Sequence, residues 1–219
     1  MAETSPDAPT TVAPPKPAAV TAPPEEVSTL PAGDYVLDPA HASLIFRVNH
    51  LGFSHYSAHF DKFDAHMQLD PSNPSSASLT ATVDPGSLQL PSPPPGFVDD
   101  LKGPKFLNVK SFPKITFKST KVETSGARQA RVTGDLTLHG VTKPVTLDVT
   151  YNGGYPGMVA DPHARIGFSA HGTFKRSDFG VDYGVPAPGT TMGVGDEVEV
   201  IIEAEFSGPE LKTDTPSAG

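Results

Sequence analysis

The feature that most constrains this chain is strict two-residue alternation, repeated along most of its length. In its last segment Val198, Val200, Ile202, Ala204 and Phe206 alternate with Glu197, Glu199, Glu203 and Glu205. Side chains on a strand point to opposite faces in turn, so this pattern writes one dry face and one wet face. The same pattern appears at Ala42, Leu44, Phe46 and Val48, with Ile45 as the one apolar residue on the polar side. It returns at Ala77, Leu79, Ala81 and Val83, then at Ile115 and Phe117, and at Val132, Leu136 and Leu138. Val145, Leu147, Val149 and Tyr151 continue it, followed by Ala164, Ile166, Phe168, Ala170 and Phe174. Tyr56, Ala58 and Phe60 share a face, but Phe63, Ala65, Met67 and Leu69 have the opposite parity. A β-bulge near Asp61 and Lys62 would restore a common apolar side.

With a short first strand at 34–37, the pattern predicts an all-β fold of about eight or nine strands. The dry face must be covered, and few helices are available to cover it. The sheet must therefore roll into a barrel or pair as a sandwich. Two breaks are long enough to fold over a barrel end. Segment 94–108 carries Phe97, Leu101 and Phe106 near helical spacing and predicts a short helix. Segment 175–195 is rich in Gly and Pro and reads as a long loop with one helical turn at Ser177–Phe179.

Composition sets the limits of this domain. Residues 1–31 hold eight Pro and no aromatic residue, so they are expected to be a disordered tether. Residues 32–207 carry the barrel, and 208–219 are expected to be a disordered tail. The 219-residue chain has a net charge of -9 and lacks Cys and Trp. Zero Cys excludes disulfides, thiolate metal sites and a cysteine nucleophile. The acidic balance argues against duplex nucleic acid or anionic membrane surfaces as main partners. No apolar run approaches the ~18–20 residues that span a bilayer, so stable membrane insertion is not expected. Nor is an export signal expected within 1–31, which has neither a basic start nor an apolar stretch.

Chemistry-bearing clusters are weak. His55 and His59 lie about 13 Å apart on one strand at ~3.3 Å per residue, too far to share a metal ion. By parity His41, His55, His59, His66 and His171 fall on the polar face. The run Gly167-Phe168-Ser169-Ala170-His171 lacks the second Gly of a nucleophile elbow and sits inside an alternating strand. Neither a catalytic nor a metal site is expected. The dry face itself holds many alanines: Ala42, Ala58, Ala65, Ala77, Ala81, Ala164, Ala170 and Ala204. They remove volume, so the interior is either filled by large residues opposite them or left hollow for an apolar ligand.

At this point the residues resemble a family, the YceI-like, lipocalin-like polyisoprenoid-binding proteins. The resemblance is carried by Asp38, Pro39, His41, Phe46, His50, Leu51, Gly52 and Ser54, then by Phe60-x-x-Phe63. It continues through Leu101, Pro104, Phe106, Phe112 and Pro113, then Ile115, Phe117 and Ser119. Gly134, His139, Gly140, Thr142 and Pro144 follow, and Gly172, Arg176, Ser177, Asp178, Phe179 and Gly180 complete the ordered series. Segment 103–106 departs from the family's usual acidic residue and two Phe.

The resemblance implies a single extended antiparallel β-barrel with a hydrophobic tunnel. It implies a non-enzymatic carrier or scavenger of a long isoprenoid lipid, a prenyl quinone or polyprenyl phosphate, with no other cofactor. Another long amphiphile, such as a fatty acid or fatty amide, is an alternative ligand. The rival readings are an enzyme acting on such a lipid and a solid β domain that binds proteins. The family also implies a periplasmic or secreted setting, and a homodimer is compatible with it. With the dry face, the expected lining is Leu44, Phe46, Val48, Phe60, Phe63, Phe106, Phe117, Leu136, Leu147, Phe168, Phe174, Phe179 and Val200. The lipid headgroup is expected at a mouth beside His50, Arg176, Asp178 and Tyr183.

Overall fold

The computed structural model describes residues 29–211. Most of the expected tether, and the tail from 212 onward, lie outside the described residues. Ten strands follow one another: β1 (Gly33–His50), β2 (Ser54–Phe60), β3 (Phe63–Leu69), β4 (Ser78–Val83) and β5 (Leu88–Gln89), then β6 (Ile115–Ser125), β7 (Gln129–Leu138), β8 (Val141–Tyr155), β9 (His163–Lys175) and β10 (Val194–Glu210). One helix, α1 (Phe97–Lys102), lies between β5 and β6. Every strand pairing is antiparallel. The order β10-β9-β8-β7-β6-β4-β3-β1 closes on itself through β1–β10, which gives an eight-stranded barrel. Closure gives each strand of the ring a partner on both sides, while β2 branches off β1 and carries β5 as the edge of the sheet.

The short first strand and the one after it are a single 18-residue strand. Its two halves have opposite parity: Tyr35 and Leu37 are buried, then Leu44, Phe46 and Val48 turn inward. The register against β10 shifts between Leu37 and Ala42, which absorbs the change. On the other side of β1, β2 pairs with Ile45–His50 and β3 with Gly33–Val36. Thus β2 and β3 form one path along β1, broken at Asp61 and Lys62 where the parity changes. Ala58 and Phe60 before the break and Ala65, Met67 and Leu69 after it are all buried. The break is braced from a 3-10 turn at Pro85–Ser87: Lys62 N donates to Ser87 Oγ at 3.0 Å, and Asp61 N to Ser87 O at 3.3 Å.

Past β2, the wall is finished by the two residues of β5 and then by α1 with the segment around it. Leu90, Leu101, Leu107 and Ile115 pack there against Ala58, Phe60 and Leu88. The helix is shorter than the span in which it was expected, because Gly96 precedes it and Gly103 follows it.

Both expected domain edges move outward. Leu30 is buried among Tyr35, Tyr151 and Ile166, so the ordered domain takes in a residue assigned to the tether. β10 continues through Gly208, Pro209 and Glu210, which were assigned to the tail. Gly208 is needed there, because a Cβ at that position would enter the Tyr35 ring. Tyr35 is fully buried, and its hydroxyl donates to Pro31 O at 2.7 Å.

Candidate functional site: a bore through the barrel

The inward faces of the strands do not meet. They enclose a cavity of about 870 Å³ that runs from one barrel end to the other. At the end with the long connections it is lined by His50, Tyr56, Phe97, Phe106 and Tyr183; this is the mouth. At the opposite end it reaches Pro74, Ser78 and the β6–β7 hairpin at Thr124 and Gly126–Gln129. Between them the walls are aliphatic and aromatic.

Two features of the sequence keep the bore open. Six of the alanines singled out on the dry face, Ala58, Ala65, Ala77, Ala81, Ala170 and Ala204, line it; Ala42 and Ala164 do not. Glycine does the same work at two inward positions. Gly134 lies under the ring of Phe117, and Gly172 lies under the Leu147 side chain at 2.5 Å from where a Cβ would stand. The large side chains therefore lie flat along the wall instead of projecting across the lumen.

Of the expected lining, Leu44, Phe46, Val48, Phe60, Phe63, Phe106, Phe117, Leu136, Leu147, Phe168, Phe174 and Val200 all border the cavity. Phe46 and Phe60 stack at 5.5 Å between centroids, and Phe168 bridges Tyr151 and Phe206 at 6.0 and 6.1 Å. Phe179 is the exception. It is 1 % exposed, packed with Leu138, Val145 and Phe174 inside the end wall rather than on the cavity surface. Its place follows from the 3-10 turn Arg176–Phe179, which ends on left-handed Gly180 and turns the ring back under β9.

The four residues expected at the headgroup separate. Tyr183 stands at the mouth, its ring edge-on to Phe106 at 5.2 Å and beneath Lys105 Nζ at 5.0 Å. His50 is at the same mouth, its ring 6.3 Å from that of Tyr56. Asp178 is not at the mouth: it sits on the outer wall, paired with Lys143 Nζ at 3.1 Å. Arg176 borders the cavity, but its guanidinium is committed to the backbone. Nε donates to Gly195 O at 2.9 Å, Nη1 to Val181 O and Tyr183 O at 2.9 Å each, and Nη2 to Val194 O at 2.7 Å. Burial pushes its pKa below the usual arginine value, partly offset by Asp196 and Asp182. Arg176 thus ties the β9–β10 connection into the shape of the rim.

Sequence reasoning left several lining residues unnamed. Met67, Tyr151 and Ile166 share the inward parity of their strands and could have been included. Arg128 has no such signal; the β6–β7 turn brings it to the far end, with its guanidinium 5.4 Å from the centre of the Tyr151 ring and Nη1 donating to Asn152 O at 3.0 Å.

The other chemistry-bearing candidates face outward. Ser169 Oγ donates to Glu203 Oε2 at 2.6 Å and accepts from Asn152 at 2.9 Å, and His171 is exposed on the same outer face. His41, His55, His59 and His66 are exposed too. Among the described residues no three His, Asp or Glu side chains gather as a metal site, and no helix is long and apolar enough to cross a membrane.

Comparison with known proteins agrees with this architecture. A family model described as "YceI-like domain" matches residues 35–206. A UPF0312 protein of Vibrio cholerae is 35% identical over 178 residues, covering 80% of this chain and 87% of its own. A UPF0312 protein of Yersinia pestis is 36% identical over 179 residues, covering 80% and 86%. Among solved structures, Burkholderia cenocepacia BcnA superposes with a TM-score of 0.65 at 25% identity, over 77% of this chain and 98% of its own. The Campylobacter jejuni YCEI protein gives 0.61 at 27% identity, over 74% and 90%. A polyisoprenoid binding domain from Saccharophagus degradans shares the fold, with a TM-score of 0.58 at 12% identity, over 82% of this chain and all of its own.

Proposed function

The chain belongs to the YceI-like family, and from its cavity we propose that it is a non-enzymatic carrier or scavenger of a long isoprenoid lipid. The single observation that carries this reading is the apolar bore of about 870 Å³, within the ~300–1,000 Å³ range of small-molecule sites. A flexible hydrocarbon fits such a channel, because its affinity comes from area removed from water and needs no fixed polar partner. Burying about 600 Å² of chain at ~25 cal/mol/Å² yields on the order of 15 kcal/mol gross. Association costs of ~4–15 kcal/mol leave micromolar to nanomolar binding within reach.

A prenyl quinone or polyprenyl phosphate is the ligand class we favour, with its polar head at the mouth beside His50 and Tyr183. A fatty acid or fatty amide would use the same walls. The protein is proposed to work in the periplasm or outside the cell, to use no other cofactor, and to act without turning its ligand over. Fractionation of the native host would test the compartment.

The deciding experiment is organic extraction of the purified full chain followed by mass spectrometry, paired with uptake of a prenyl quinone. A co-purifying prenyl lipid, or stoichiometric uptake, is the expected result. Empty protein that takes up no prenyl quinone would overturn the reading, and a co-purifying fatty amide would replace the ligand class. A prenyl phosphate consumed by the protein, with activity lost in His50→Ala, would replace carriage by catalysis.

A further inference from the structure

The mouth has an apolar rim whose two most exposed members lie outside the cavity lining. Phe53, at the tip of the β1–β2 hairpin, is 81% exposed, and Met192, in the β9–β10 connection, is 71% exposed. The two tips are one structure. Leu51 N donates to Gly193 O at 3.0 Å, and Gly52 sits against Thr191. From there Val194 N donates to Gly184 O at 3.0 Å, next to Tyr183, which is 52% exposed and meets Phe106 edge-on. The rim thus runs from Phe53 through Met192 to Tyr183 at the opening of the bore. Single exposed apolar side chains are ordinary, but a connected set around an opening marks a contact surface. Met158 and Val159 are also exposed, on one turn away from the cavity lining.

Charge near the rim suits the same contact. The connection from β5 to β6 carries Lys102, Lys105, Lys110 and Lys114. Lys105 Nζ lies over the Tyr183 ring. Asp99, Asp100, Asp178 and Asp182 are the carboxylates of the β5–β6 and β9–β10 connections, with Asp178 paired to Lys143. Asp196 at the start of β10 accepts from Ser177, and Glu197, Glu199, Glu203 and Glu205 stand along the flank of β10.

We propose that this rim docks on the surface of a phospholipid bilayer. Phe53 and Met192 enter the boundary between headgroups and acyl chains, Tyr183 sits at headgroup level, and Lys105 meets phosphate. The inference rests on the lipid-carrier reading: seated this way, the bore opens into hydrocarbon and the guest moves without crossing water. The net charge of -9 opposes anionic surfaces, so insertion of apolar side chains is the main attraction and zwitterionic vesicles suffice.

The test uses the full chain and phosphatidylcholine vesicles in a flotation assay. It compares the wild type with Phe53→Glu/Met192→Glu and with the milder Phe53→Ser/Met192→Gln. Neither position lines the cavity, so uptake of a water-soluble short-chain prenyl quinone reports the cavity separately. The wild type is expected to float. Both variants should bind vesicles at least about tenfold more weakly and slow the extraction of a long prenyl quinone from loaded vesicles, with short-quinone uptake unchanged. Wild type that does not float, or variants that float equally well, would overturn docking. So would a wild-type dimer in ultracentrifugation that the variants split, because the rim would then face a second copy. Loss of short-quinone uptake in the wild type would instead strike the carrier reading, while flotation still judges the rim.

Discussion

The Phe117 ring lies across Gly134, so close that a methyl group on residue 134 would overlap it and the backbone of Lys118. The glycine is therefore a bore-opening residue. Gly134→Ala is expected to drive the ring toward the lumen and to cost about 1–3 kcal/mol of stability through overpacking. Urea unfolding gives the stability, and prenyl-quinone uptake should fall in parallel. A variant that unfolds at the wild-type midpoint and binds normally would show that the ring has room to move.

Filling the lumen without disturbing the wall separates binding from folding. Ala204 borders the cavity at mid-strand in β10. Ala204→Phe is expected to abolish long-chain ligand uptake while leaving the unliganded protein at least as stable as wild type, with a gain of up to about 2 kcal/mol. Isothermal titration and thermal unfolding measure the two effects. Retained uptake would place the guest elsewhere.

Arg176 is a structural cation. Its four hydrogen bonds end on carbonyls of Val181, Tyr183, Val194 and Gly195. Arg176→Lys keeps the charge but loses the planar fork that reaches them all. The expected cost is about 2–4 kcal/mol, since the buried Val181 carbonyl and three half-buried ones lose their donor. Hydrogen exchange should rise in 181–195 before it rises in β1, and a uniform change over the barrel would count against this local role.

Acid should loosen the β1 bulge. Asp38 accepts from Arg165 Nη1 at 2.5 Å, His41 Nδ1 at 3.0 Å and Ala40 N at 3.0 Å. These bonds, that of Arg165 foremost, hold its pKa down at about 2. A carboxyl depressed in the folded state contributes stability above its unfolded value of about 3.9. That contribution is lost as the pH falls from there toward 2. Arg165→Gln should raise the Asp38 pKa and flatten this part of the acid unfolding curve. A carboxyl-carbon NMR titration follows it residue by residue, and an unmoved Asp38 would refute the pairing.

The barrel was legible because alternation needs only neighbours in sequence. Val198 to Phe206 announced an inner face, and the shifted parity between Phe60 and Phe63 announced the break at Asp61. The alanines raised the question of a hollow, but an alanine says only that its own side chain is short. Whether Phe117 crosses the lumen or lies flat depends on Gly134, two residues along β7 from its partner Leu136. Loops were hardest. The loop 175–195 suggests a mouth for both Arg176 and Asp178, but a single 3-10 turn sends one inward to the backbone and the other outward to Lys143. Phe179 was misplaced by the same turn. Edges were misjudged by composition: the run Gly208–Glu210 looks like tail, and only the packing of Gly208 on Tyr35 shows why it continues the sheet.

The two parity changes, one at 38–41 in β1 and one at Asp61 and Lys62, lie on adjacent strands. Each keeps greasy side chains indoors on both sides of a phase slip. A substitution there leaves the phase of the strand alone, whereas losing or gaining one codon would turn half a strand inside out. Among descendants of this gene, those stretches should hold their count.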